Sequence, residues 1–286
     1  MDTETEISKH MDTETEIRAL CNRVHHKRDR AACTMVTVHR LLPWIASTDG
    51  ELRDNLVYTA LYDIFEAETL QQGDLEWVLA ELVSDRYLFR GLGPANGDDV
   101  FRRSFSLLVI DAILETQPAR HMPGRTLQQV WNAYRDYVTR ENDLRGYVDG
   151  KGWAHSLAHG ADVAYSLIAL NVPGKTDVLQ LFDIWRVKLS DGAYVFIDEE
   201  GERLLRAVFA ALDVGILDED DLCQVAASYG STPVSNDYPL GQHAGENLKN
   251  FLMCWHIHAD ERRLDRLSKA TFEALQTLKN RRNKWY

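Results

Sequence analysis

The chain has 286 residues, 45% of them hydrophobic and 27% charged, with a formal net charge of −12. That is the make-up of a folded protein with room for one large or two small domains. The acidic balance and scattered basic residues argue against phosphate-driven nucleic-acid binding. No apolar run is long enough for a bilayer and no secretory leader opens the chain, so a cytoplasmic protein without membrane contact is expected.

Met1–Ile7 reads M-D-T-E-T-E-I and recurs letter for letter at Met11–Ile17. Residues 1–10 are therefore set apart as a duplicated segment, added or disordered, and 11–286 are read as a single helical domain. Cys21, Cys33, Cys223 and Cys254 are far apart with no C-x-x-C pair. They are expected to be reduced core thiols.

Apolar residues at helical spacing predict a helix over Ala31–Ala46, carried by Met35, Val38, Leu42 and Ile45. Thr48-Asp49-Gly50 makes a turn, followed by a helix through Leu52, Leu56, Ala60, Leu61 and Ile64. Gly73-Asp74 starts another, with Leu75, Val78, Leu79, Leu82 and Val83 on its apolar face. The loop Gly91–Gly97, with Pro94 and Asn96, lacks the Gly-Lys-Ser/Thr of a phosphate loop and reads as a connection. Asp98 and Asp99 then cap a helix running to Ile113, with Arg103 and Ser104 in its first turns. A cation there opposes the helix dipole, so Arg103 is expected to meet an anion. Pro118 and Pro123 interrupt the pattern before a helix through Leu127, Trp131, Tyr134 and Val138.

The next stretch, Arg145 to Asp162, reads R-G-Y-V-D-G-K-G-W-A-H-S-L-A-H-G-A-D. On a helical wheel His155, His159 and Asp162 fall within roughly 60° of one another, and Ser166 extends the stripe. Trp153, Leu157, Ala161, Ala164 and Ile168 fall opposite, on the face expected to be buried. Three readings stay open for the stripe: a solvent face, polar partners holding neighbouring helices, or a metal or substrate site. Histidines at i and i+4 can share one ion, with Asp162 completing a facial set. The H-E-x-x-H signature is absent because Ser156 stands where its glutamate would be.

Beyond it, Thr176-Asp177 opens a helix through Phe182, Trp185 and Leu189, and Ala193–Ile197 is a short strand-like run. Helices follow through Leu204–Leu212 and Leu222–Tyr229, then a polar loop Gly230–Gly245, a helix Leu248–His258 and a charged closing helix. Consecutive amphipathic helices joined by short turns predict an all-α fold, a HEAT-like α-solenoid of stacked antiparallel hairpins.

D-G-E-L-R-D at Asp49–Asp54, Asp99-Val100-Phe101 with Arg103-Ser104-Phe105-Ser106, and the Arg145–Asp162 stretch together resemble the bacterial domain-of-unknown-function family 2785. The likeness runs from roughly Leu41 to Asp265 and implies one HEAT-like helical domain with no assigned reaction. Arg102 stands where a small polar residue is expected, so only Arg103 is carried over from the second motif.

Taken together, Asp49, Asp54, Asp99, Arg103, Arg145 and Lys151 are expected to line a concave pocket for a small polar or anionic ligand or a peptide. Arg103 and Arg145 suit a carboxylate or phosphate, and Lys151 adds a point charge. The alternative use of the two arginines is pairing with Asp49, Asp54, Asp99 or Asp143 between helices. The second function class is a metal-assisted hydrolase, with the ion on His155, His159 and Asp162 and His155 or His159 as general base.

Overall fold

The computed structural model describes residues 12–93 and 97–282. The duplicated segment 1–10 and the loop positions Pro94 and Asn96 lie outside the described residues. The chain is all-α, as its spacing predicts. Inside the stretch read from sequence as one helical domain, it divides into two compact units. Among the described residues, one takes the chain up to Gly91 with Gly97–Met122 and Val148–Trp153; the other is built mainly of Pro123–Tyr147 and the described chain from Ala154 onward.

The first unit begins with α1 (Glu14–Val24). Thr13 caps it: its hydroxyl accepts the Glu16 amide while the Glu16 carboxylate accepts the Thr13 amide at 2.7 Å. α2 is only Met35–Leu41, and a tighter 3₁₀ turn, Leu42–Ala46, follows it. The helix predicted over Ala31–Ala46 is thus broken, because Pro43 has no N–H with which to continue the α ladder. A π-helical stretch, Glu51–Tyr58, leads into α3 (Thr59–Glu66). Next come α4 (Gln72–Leu82) and α5 (Asp99–Leu114). α5 is buried nearly all round, including Arg103, Ser104, Ser106 and Asp111.

α6 (Gly124–Arg140) precedes a small hairpin, β1 (Tyr147–Val148) paired with β2 (Gly152–Trp153). Trp153 lies on this strand, half-buried, and not on the buried face of the following helix. Gly150 and Gly152 turn the chain with φ of 72° and 81°, so the helix cannot start until after them.

The second unit continues with α7 (Ser156–Ala169), α8 (Lys175–Leu189), α9 (Glu200–Asp213), α10 (Glu219–Gly230), α11 (Leu240–Glu261) and α12 (Asp265–Arg282). α7 packs along α9, and α12 packs on both α10 and α11. Ala193–Ile197 is not a strand. Its backbone is satisfied by a side chain: Asn247 Nδ2 donates to the Tyr194 carbonyl at 2.8 Å, and Asn247 Oδ1 accepts the Phe196 amide at 2.9 Å. α11 begins eight residues before the predicted Leu248, since the polar residues after Leu240 are still in helical register.

Candidate functional site

α7 and α9 run side by side in the same direction, which their ion pairs show. His155, at the head of α7, meets Glu200, at the head of α9. Asp162, two turns along α7, meets Arg203 and Arg206, one and two turns along α9. Two helix N-termini therefore open at one place, where unpaired N–H groups and aligned dipoles favour negative charge. Asp198 and Glu200 supply that charge.

The turns into both helices are strained. His155 precedes α7 with φ 50°, and Glu199 precedes α9 with φ 68°. Left-handed backbone costs an ordinary residue about 1–2 kcal/mol, and the surrounding structure must hold it there. On the α7 side, the Ala154 and His155 amides donate to the carbonyls of Gly146 and Arg145, both at 2.9 Å. Ser156 Oγ donates to the Asp143 carbonyl at 2.5 Å. On the α9 side, the Asp198 amide donates to Glu200 Oε2 at 2.9 Å.

Within the cluster, His155 Nε2 stands 3.4 Å from Glu200 Oε1, with both side chains at most 7% exposed. Glu200 Oε1 accepts no hydrogen bond among the described residues. The His159 ring meets the His155 ring edge-on, with centroids 5.5 Å apart. The Tyr194 hydroxyl donates to Asp198 Oδ2 at 3.2 Å. Burial pushes the Tyr194 phenol above its ordinary value, and the Asp198 charge adds to that. Among the described residues, His155, Asp198 and Glu200 are the His/Cys/Asp/Glu set whose ligand atoms all lie within 4.8 Å of one another.

The stripe His155, His159, Asp162 is thus only partly a unit. The two histidines meet, but Asp162 does not join them in a three-donor set. Its carboxylate takes Arg203 at 2.8 Å and Arg206 at 3.5 Å, and Arg206 stacks on Tyr165 with its guanidinium 4.5 Å from the ring. A helical wheel records angle and ignores rise: seven residues separate His155 from Asp162, about 10 Å along the axis. The opposite face of α7 is buried as expected, but so is the stripe, and only Tyr165 and Ala169 of the helix escape full burial.

Each of the six residues expected to bind an anionic ligand has protein partners among the described residues. Asp49 caps the turn before Leu52 at 3.2 Å and pairs with Arg18 at 2.7 Å. Asp54 pairs with Arg53 at 2.7 Å, and Asp99 faces Arg90 at 3.9 Å. Buried Arg103 donates to the carbonyls of Arg90 and Gly91 at 2.9 and 3.3 Å, closing the turn before α5. Arg145 grips the buried Asp143 through two parallel hydrogen bonds of 2.8 and 2.6 Å, a pairing within the loop after α6 and not between helices. Lys151 pairs with Asp98 at the surface at 2.7 Å. Five of the six belong to the first unit and Arg145 to the second, so neither unit gathers the whole set.

The residue that sequence reading passed over is Arg53, inside the D-G-E-L-R-D motif. It is completely buried. Its guanidinium lies 4.2 Å from the Phe101 ring centre and 4.7 Å from that of Phe105. It donates to the carbonyls of Ser47 at 2.6 Å, Lys151 at 2.8 Å and Trp153 at 3.3 Å. Burial lowers its pKa and raises that of Asp54. Gly152 makes room, since a Cβ there would stand 2.9 Å from Arg53 Nη2.

The family model described as "Protein of unknown function (DUF2785)" matches residues 88–256, more than half of the chain. The chain belongs to this family. The DUF2785 match contains α5 to α10 and most of α11, and with them Arg145, Asp162 and the cluster of His155, His159, Tyr194, Asp198 and Glu200. Arg53 and its partner Asp54 precede the DUF2785 match. No curated protein and no solved structure matches the chain. No helix among the described residues is long and apolar enough to cross a membrane.

Proposed function

We propose that this DUF2785 protein is a ligand-binding helical protein of the cytoplasm. Its site is the cluster of His155, His159, Tyr194, Asp198 and Glu200 where α7 and α9 begin. The observation that carries the reading is Glu200 Oε1, a buried carboxylate oxygen that stands 3.4 Å from His155 Nε2 and accepts no hydrogen bond among the described residues. Leaving a buried charged acceptor unsatisfied costs about 1–3 kcal/mol or more, a cost that a bound partner removes. Only Tyr194 and Asp198 of the five are partly exposed, which favours a small ligand over a peptide. The four free cysteines are consistent with a reducing compartment. HEAT-like stacking of hairpins belongs to the same proposal, supported by the packing of the consecutive helices α11 and α12.

The hydrolase reading would use the same place. His159, packed on His155, would take a proton, and the partly exposed Asp198 marks the side from which a substrate would enter. The test of the binding proposal is a thermal-shift screen of the full chain against divalent cations, small carboxylates, phosphate and amines, repeated on Glu200→Gln. A ligand that raises the Tm of the parent and not of the variant supports the site. If nothing shifts the parent and Glu200→Gln is as stable or more so, the cluster is only an internal polar contact.

A further inference from the structure

We infer that the ligand of this cluster is a divalent transition-metal ion, held by His155 Nε2 and the carboxylates of Asp198 and Glu200. The inference rests on the binding reading above and names the ligand. The donor set is neither the His155–His159–Asp162 set that the helical wheel suggests nor a H-E-x-x-H arrangement. It joins one residue before α7 to one in the loop before α9 and one at the start of α9, which are remote in sequence.

The first argument is distance. An imidazolium and a carboxylate that simply pair approach to about 2.7–2.9 Å. His155 Nε2 and Glu200 Oε1 stand at 3.4 Å. Two ligands of a tetrahedral ion with metal–ligand bonds of about 2.0–2.2 Å are themselves about 3.3–3.6 Å apart. The three donors lie within 4.8 Å of one another. A tetrahedral ion needs all three separations at about 3.3–3.6 Å, so closing on it moves the more distant donors by up to about 1.5 Å, within reach of side-chain rotation.

The second argument is charge and satisfaction. Two carboxylates brought this close, one buried and one half-buried, repel each other unless positive charge lies between them. Two helix N-termini contribute about half a charge each, which leaves part of the repulsion unmet. Glu200 Oε1 is buried, accepts no hydrogen bond among the described residues, and is the oxygen that faces His155 Nε2. The other carboxylate oxygens are oriented by protein groups, as metal ligands require: Glu200 Oε2 by the Asp198 amide and Asp198 Oδ2 by the Tyr194 hydroxyl.

The third argument is ligand chemistry. One imidazole with two carboxylates and no thiolate suits Zn²⁺, Mn²⁺ or Fe²⁺. Ca²⁺ and Mg²⁺ favour all-oxygen shells. Asp198 is only half-buried, which gives the ion a route in and leaves a coordination position toward solvent.

The test is equilibrium dialysis of tag-free, chelator-treated full chain against Zn²⁺ alone and Mn²⁺ alone, read by elemental analysis, with far-ultraviolet circular dichroism to confirm folding. The expected result is one ion per chain, with affinity falling at least about tenfold in His155→Ala and in Glu200→Gln. Asp198→Asn serves if Glu200→Gln does not fold, and Asp162→Asn should bind as the parent does. Absence of stoichiometric uptake of either ion overturns the inference, as does uptake that the ligand variants leave unchanged, which marks an adventitious ion only. If neither ion binds while another small ligand gives a thermal shift that Glu200→Gln abolishes, the metal inference falls and the binding site stands. If no ligand of any kind depends on Glu200, both fall.

Discussion

Gly146 and Asp198 meet where residue 146 has no room for a side chain, because the Asp198 carboxylate occupies the space a Cβ would take. A Cβ at residue 146 would overlap Asp198 Oδ2 and come within 2.6 Å of the Tyr194 hydroxyl. Contacts that short force atoms apart. Gly146→Ala should therefore destabilise the chain by about 1–3 kcal/mol and weaken Zn²⁺ binding, because Asp198 and Tyr194 must move together. Urea denaturation and dialysis of the variant check both effects. An unchanged midpoint would mean that the loop carrying Asp198 gives way freely.

Asp162 and Glu200 lie on the same helix pair but should behave differently. Asp162→Asn weakens the contacts to Arg203 and Arg206 and should cost about 1–3 kcal/mol while leaving metal uptake intact. A loss of uptake in Asp162→Asn matching that of His155→Ala would restore the helical-wheel set as the ligand set.

Arg53 holds the first unit's turns with one buried guanidinium. Replacing it with Met keeps much of the volume between Phe101 and Phe105 but leaves Asp54 and three carbonyls without their donor. The expected loss is about 3–5 kcal/mol in a urea titration. Arg53→Lys should recover little of it, since an ammonium cannot reach the same acceptors in a planar fork. Near-parental stability in Arg53→Met would show that packing, not the hydrogen bonds, secures the site.

Lys188 is buried in the second unit and donates to the carbonyls of Thr139 at 3.1 Å and Glu141 at 2.6 Å. Burial lowers its pKa below the ordinary 10.5. Between the lowered folded value and 10.5 the unfolded chain binds more protons than the folded one, so stability from this group rises with pH across that window. Below the window the penalty for burying the charge is fully present. The stability difference between the parent and Lys188→Met should therefore move in the parent's favour as pH approaches 10.5. A difference that stays flat across pH 8–10.5, measured by chemical denaturation, would show that Lys188 keeps its ordinary affinity for protons.

The all-α fold was legible because it rests on local spacing. Apolar residues every three or four positions mark α4, α5, α6 and α8 close to their actual bounds, and Asp98–Asp99 mark the start of α5. The errors are local conflicts settled by distant partners. Ala193–Ile197 has strand-like residues, but its backbone bonds to Asn247, far along the chain. Trp153 is in phase with α7, but the glycines before it and the carbonyl contact with Arg53 keep it on a strand.

The candidate site divides in the same way. His155 and His159 were visible from sequence as an i, i+4 pair, because one helix sets their separation. Asp198 and Glu200 carried no such signal: they sit in a loop and at a helix start about 40 residues downstream, among many other acids. Sequence alone determined that this chain is helical, and which residues of each helix are apolar, since both depend on the 3.6-residue period. Only the tertiary structure decided that α7 and α9 run parallel with their N-termini together. That packing hands Asp162 to arginines, buries the polar stripe, and sets His155 against Glu200 and Asp198.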